Sequence, residues 1–307
     1  MNMESTIYTR RDILKLLGTG AAAALAYPAL SFGKVKMTAA PIGFQLYSVR
    51  RQIEKDLEGS IKKIAEMGYF GVETYPLPSA ITLQRAANVF KDNGLKVFSM
   101  HTELPVGDEI ENILKMSDAY QCPTVVYPGW PKDLSTQDPD LFLHASEVFK
   151  TIDKMKKRAD TYNEIGAALQ KKGLHFGIHN HWWEFEKSDG VYPSYYFLEH
   201  LDPDIFFEID TYWAKTAGQN PAKVLADFGK RAPFLHIKDG PATKDAQMYA
   251  MVPAGSGVMD FPAIVKAGGM NIQWMIVEFD EYAGNIFDGI QGSYTYLIKN
   301  SLAKGKI

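Results

Sequence analysis

Four residues of metal-binding type each close a separate apolar run: His179 in HFGIHNH, Asp210 in IFFEID, His236 in FLHIKD and Glu278 in WMIVEFD. Two imidazoles and two carboxylates suit one divalent ion of borderline or hard character: manganese, zinc, cobalt or magnesium. Such an ion polarises a carbonyl, and a positioned base then removes the acidified neighbouring proton. A lone inward histidine is more often a hydrogen-bonded core residue than a ligand. Repetition at four run ends is what points to a metal, because several buried charges without a cation would be costly to desolvate.

These residues need a frame that turns them toward one another. Short β-rich runs recur at 42–49, 70–75, 95–101, 123–128, 174–180, 205–210, 234–239 and 274–279. Between them lie stretches with apolar spacing of three and four, such as LEGSIKKIAEMGY and LQRAANVFKDNG, several ending in glycine (Gly68, Gly94, Gly173, Gly229, Gly268). Strict alternation of eight strands and helices predicts an α/β chain closed into a (β/α)8 TIM barrel. A doubly wound open sheet is the rival, but the first strand runs into LYSVRRQIEKD, with no glycine-rich phosphate turn. Barrel sites lie at the C-terminal strand ends, where the four candidate ligands stand.

Alternation along each strand sorts the faces. His175, Gly177, His179 and His181 share one face, with Phe176 and Ile178 on the other. The helix-facing side should be apolar, so the histidines point inward. The same phase turns Gln45, Tyr47, Glu73, His101, Glu208, Asp210, His236, Lys238, Glu278 and Asp280 inward. His179 and His181 are both in phase on the fifth strand, and His179 is preferred because its depth matches the other ligands.

The chain has 307 residues, 46% of them hydrophobic, enough for a sizeable core. Its net charge is −3. Residues 1–36 carry Arg10, Arg11, Lys15, Lys34 and Lys36 against Glu4 and Asp12, so the remainder carries −6. That acidity speaks against nucleic-acid binding. The single cysteine, Cys122, allows no intrachain disulfide and fits a small buried hydrophobe. Arg10–Arg11 before LLGTGAAAALA resembles a twin-arginine export signal. Residues 1–36 are therefore expected to be a signal segment for periplasmic export, with the barrel spanning 37–307. An ordinary amphipathic first helix is the alternative. The run is too short to span a membrane, and nothing later is long and apolar enough. Homo-oligomerisation is left open.

The phrases GFQLYSVR, GVETY, HNHWWEF, EIDTYWAKTAGQNP, LHIKDG, VPAGSGVMDF and IVEFDE resemble, in order and spacing, the sugar phosphate isomerase/epimerase superfamily with a xylose isomerase-like barrel, in a branch with an HNH phrase. The resemblance covers roughly 41–300. It implies one divalent ion on four successive strands, carried here by His179, Asp210, His236 and Glu278. Many relatives have glutamate at the fifth strand and use it with the eighth-strand carboxylate as two bases on opposite substrate faces. With His179 there, only Glu278 of that pair remains, which weakens symmetric epimerisation. Trp213 stands where many relatives place a substrate-binding histidine.

The expected activity is a metal-dependent sugar isomerase or epimerase that abstracts a proton beside the carbonyl of a keto-sugar. Alternatives are a lyase or hydrolase cleaving 3-keto-glycosides by elimination, and a non-catalytic sugar-binding barrel. Glu278 is a ligand and candidate base, and His101 or Glu184 is the second candidate acid/base. Lys238 would stabilise an oxyanion or bind a hydroxyl, unless it simply pairs with Glu208. Gln45, Tyr47 and Glu73 would line the pocket, although Glu73 also suits a structural ion pair. Among Trp130, Trp182, Trp183 and Trp213, one or two would stack on sugar C–H faces, the others being packing. The AGSG phrase at 254–257 is expected to be a mobile loop rather than a phosphate site.

Overall fold

The computed structural model describes residues 39–129, 146–245, 247 and 249–306. The 1–36 segment and Trp130 lie outside the described residues. Eight parallel strands close into a barrel in chain order. They are β1 Ile42–Gln45, β2 Gly71–Thr74, β3 Lys96–His101, β4 Thr124–Tyr127, β5 His175–His179, β6 Phe206–Asp210, β7 Phe234–Ile237 and β8 Trp274–Val277. At least one helix follows every strand, from Arg50–Lys55 after β1 to Ile286–Lys299 after β8. No helix among the described residues is long and apolar enough to cross a membrane.

Each expected strand forms, but the first is shorter than its apolar run. Residues Leu46–Val49 turn into a 3-10 helix because the Gln45 side chain accepts the Tyr47 N–H at 3.0 Å. That cap ends the strand and leaves Tyr47 at the barrel rim.

Two apolar layers hold the frame. The larger lies between strands and helices and contains Phe44, Phe176, Ile178, Phe207, Ile209, Leu235, Ile237 and Val277, all buried. These are the outward residues of the alternating pattern. The smaller plugs the barrel floor with Phe98, Phe234 and Ile276, backed by Phe206 and Trp274. Phe98 stacks on Trp274 with centroids 4.0 Å apart. The rings fit because glycine faces them: a Cβ on Gly43 would stand 2.4 Å from Phe98, and one on Gly177 2.3 Å from Phe206.

Simple alternation would not put both Phe98 and His101 inside. A register shift does so: Val72 pairs with Val97, but Glu73 pairs with Ser99. Phe98 is the extra residue of a bulge. It fills the floor, and the strand resumes with Ser99 beside Glu73.

Candidate metal centre

Asp210, His236 and Glu278 come together at the strand ends, one ligand atom from each lying within 4.8 Å of the others. Asp210 is both the last residue of β6 and the cap of the following helix, its Oδ1 accepting the Trp213 N–H at 3.0 Å. Asn180 fixes this strand end from β5. Its Oδ1 accepts the Asp210 N–H at 3.0 Å, and its Nδ2 donates to the Asp210 carbonyl at 3.2 Å. The His236 ring stands between two levels: Nδ1 lies 2.7 Å from Glu278 Oε2, and Nε2 lies 2.9 Å from Glu73 Oε1.

His179 does not share the depth of these three. It is in register with Glu208, whereas Asp210 is in register with His236. On β8 the residue beside His236 is Ile276, so Glu278 lies one inward step higher. Tilted barrel strands are staggered, and residues counted from strand ends need not lie level. His179 Nδ1 instead meets Glu208 Oε1 at 3.1 Å. It thereby joins His101, Glu208 and His236 in a second group, whose four ligand atoms also lie within 4.8 Å of one another.

Lys238 does not pair with Glu208. Its Nζ lies 3.0 Å from Asp210 Oδ2, 2.8 Å from Glu278 Oε2 and 2.8 Å from Asp280 Oδ2. Lys238 is two residues beyond His236 and so reaches the upper level, leaving Glu208 to the histidines below. Its ammonium also sits 5.4 Å over the Trp213 ring.

Burial and charge set the protonation states together. Burial opposes the charge on Lys238, but Asp210, Asp280 and Glu278 outweigh it and hold its pKa well above normal. Against the same burial, Lys238 and His236 keep Glu278 well below the usual carboxylate range. Asp280 is pushed up to about 6 by burial, which the lysine only partly offsets. His179 is held well below the usual imidazole range by burial, with His236 and His181 adding to it, and is neutral as a ligand must be. Burial disfavours charge on His101, but Glu73 and Glu208 push its pKa up to about 10.

The remaining expected site residues divide by depth. Gln45 and Glu73 are fully buried, and Gln45 Nε2 donates to Glu73 Oε1 at 2.8 Å, below the rim. His101 lies there too, 2.7 Å from Glu208 Oε1 and 3.2 Å from Glu73 Oε1. Tyr47 is at the rim, its ring 4.0 Å under the Arg50 guanidinium and 5.9 Å from Tyr75. Trp182 and Trp213 pack 5.3 Å apart; Trp213 is 1% exposed and Trp182 9%. Glu184 closes the turn after β5, its Oε2 accepting the His181 N–H at 2.9 Å, and burial pushes its pKa up to about 8. The Gly-rich 254–257 loop is tied down by Asp239, whose carboxylate accepts the N–H groups of Gly240, Gly255, Gly257 and Met259.

Three residues gain importance beyond the sequence assignments. Asp280 was legible as an inward residue two places after Glu278, but only the fold brings it onto Lys238. Glu208 carries the same in-phase signal two places before Asp210. Asn180 had no signal, because its partners are backbone atoms of another strand.

The donor set fits a divalent ion. Asp210 Oδ2 is buried and accepts no hydrogen bond, although it faces the Lys238 ammonium, so this cradle already attracts a cation. Asp210, His236 and Glu278 would hold the ion, whereas His179 faces Glu208 and the deeper group.

The chain belongs to the xylose isomerase-like TIM barrel family, which it matches over residues 61–290. Among solved structures it is similar to a sugar phosphate isomerase/epimerase from Parabacteroides distasonis, with 24% identity, a TM-score of 0.68, and 91% of this chain and 100% of that one covered. A D-allulose 3-epimerase from Methylomonas sp. matches at 13% identity and TM-score 0.57, over 85% of this chain and 98% of that one. The probable 3-DHS dehydratase AsbF from Bacillus anthracis matches at 13% identity and TM-score 0.62, over 84% and 98%. At these identities the likeness is one of fold. No curated protein matches the chain.

Proposed function

We propose that this protein is a divalent-metal-dependent sugar isomerase or epimerase that removes a proton beside the carbonyl of a keto-sugar. The observation that carries this is the convergence of Asp210, His236 and Glu278 on one point at the strand ends of a xylose isomerase-like barrel. Similarity to an isomerase/epimerase and to a sugar 3-epimerase supports the substrate class.

A divalent ion held there supplies Lewis-acid polarisation of the substrate carbonyl. Lys238 adds a fixed positive charge beside the same carboxylates, which would favour negative charge developing on a nearby substrate oxygen. Glu278 and Asp280 are the carboxylates in reach of a bound sugar. Asp280 is the better placed base, since its side chain is 18% exposed against 6% for Glu278 and 0% for Asp210. Tyr47 at the rim offers apolar surface to sugar C–H groups. The twin-arginine-type segment would deliver the folded enzyme to the periplasm, which favours a free sugar or glycoside over a phosphosugar.

Elimination from a 3-keto-glycoside is the second reading. It is favoured by the imidazole of His179 on β5, where a second carboxylate base would otherwise stand, and by similarity to a probable dehydratase. One experiment tests both. Metal-loaded protein is incubated with a panel of ketoses and 3-keto-glycosides in D2O and followed by NMR. Deuterium at the carbon beside the carbonyl with the aglycone retained supports isomerisation or epimerisation, whereas release of the aglycone supports elimination. Absence of both exchange and product throughout the panel removes proton abstraction.

A further inference from the structure

Below the strand-end carboxylates, three imidazoles converge on a single carboxylate oxygen. Glu208 Oε1 lies 2.7 Å from His101 Nε2, 3.1 Å from His179 Nδ1 and 3.0 Å from His236 Nε2. A carboxylate oxygen presents two lone pairs, and the His101 and His179 hydrogen bonds fill them; His236 Nε2 makes its hydrogen bond to Glu73 Oε1 at 2.9 Å and is crowded as a third nitrogen against Glu208 Oε1. Its sister atom Oε2 is buried and accepts none, and the same holds for Glu73 Oε2 beside it. Crowding on one oxygen while its neighbours stay unused is poor hydrogen bonding. It is good ligand geometry, because ligand atoms crowd together when they face a common cation.

Charge leads to the same place. Lys238 serves Asp210, Glu278 and Asp280, whereas the ionic partners of the fully buried Glu73 and Glu208 are the imidazoles of His101, His179 and His236 among the described residues. Buried charges of this kind are held by cations or pairs.

We propose a second divalent-cation site in the barrel interior, formed by His101 of β3, His179 of β5, Glu208 of β6 and His236 of β7. Three imidazole nitrogens and one carboxylate oxygen select a zinc- or cobalt-class ion in tetrahedral coordination. Bonds of about 2.0–2.1 Å separate tetrahedral ligand atoms by about 3.3 Å, so the three contacts to Glu208 Oε1 need to open by about 0.2–0.6 Å. His236 is shared. Its Nε2 serves the deep site while Nδ1 faces Glu278 and the strand-end site, the ring losing its second N–H proton to solvent as both ions bind. The deep ion ties four strands together and fixes the ring that the upper site uses. This site stands whether or not the sugar chemistry proposed above is right.

The test is metal counting on the full chain, saturated with zinc or with Co(II), desalted and analysed by elemental mass spectrometry and visible absorption. Wild type should retain two equivalents and show the intense visible band of tetrahedral Co(II). His101→Gln and Glu208→Gln should each lose one equivalent together with that band. Glu278→Gln should lose the other equivalent and keep the band. A wild type retaining a single equivalent that Glu278→Gln loses overturns the deep site and leaves the strand-end metal intact. Two equivalents retained by both His101→Gln and Glu208→Gln also overturn it. A wild type that retains no metal overturns both sites.

Discussion

Lys238→Met should expose the electrostatics of the strand-end cradle most directly. Methionine keeps the length and apolar character of the lysine stem and removes the ammonium. Three carboxylate oxygens, at 2.8, 2.8 and 3.0 Å, then face one another with no cation between them. Removing one partner of a buried ion pair costs about 3–5 kcal/mol. The three contacts do not multiply that figure, because Asp280 is 18% exposed and regains water. At roughly 2–4 °C per kcal/mol for a chain of this size, the melting temperature in EDTA should fall by about 10 °C. Divalent metal should then close much of the gap, since a cation replaces the lost ammonium. At a hundredfold excess over the dissociation constant, binding returns about 2.7 kcal/mol. The assay is thermal unfolding of wild type and variant, each in EDTA and in zinc or manganese. A variant that melts at the wild-type temperature in EDTA refutes the electrostatic reasoning. One that is destabilised but gains no more from metal than wild type refutes the cation cradle.

Glu278→Gln should abolish metal retention at the strand ends and lower turnover far more than sugar binding, whereas Asp280→Asn should retain metal and lose turnover; metal content beside kcat and KM separates the two. Gly177→Ala places a methyl against the Phe206 ring and should cost about 1–3 kcal/mol in denaturant unfolding. Combining it with Phe206→Leu should recover part of that loss, and strict additivity would remove the packing explanation. Glu184 has a folded pKa of about 8 against an ordinary 4.5, so the fold favours its protonated form. Its stabilisation is complete below pH 4.5 and is lost as pH rises to about 8. Glu184→Gln should flatten the stability profile between those limits, and an unchanged profile would show that Glu184 does not titrate there.

The frame was legible because each strand alternates an apolar outward face with a polar inward one. Phe176 and Ile178 against His179, or Leu235 and Ile237 against His236, declare their faces without any tertiary information. Glycines closing the helices marked the returns to the sheet. The end of β1 was not legible in its apolar run: LYSV looks extended, but the Gln45 side chain supplies the bond that turns it. Phe98 was invisible for a related reason. A bulge is a mismatch between two strands, and one strand's pattern does not contain it.

Sequence by itself determined which residues face the barrel interior, since that depends on a period of two along a single strand. It therefore named Asp210, His236 and Glu278 as neighbours in one cavity. Only the tertiary structure decided their heights. Strand stagger sets His179 level with Glu208 rather than Asp210, and it lifts Lys238 onto three carboxylates. Height in a closed barrel comes from pairing between strands, and with it comes the division of one apparent ligand set into an upper cradle and a deeper cluster sharing His236.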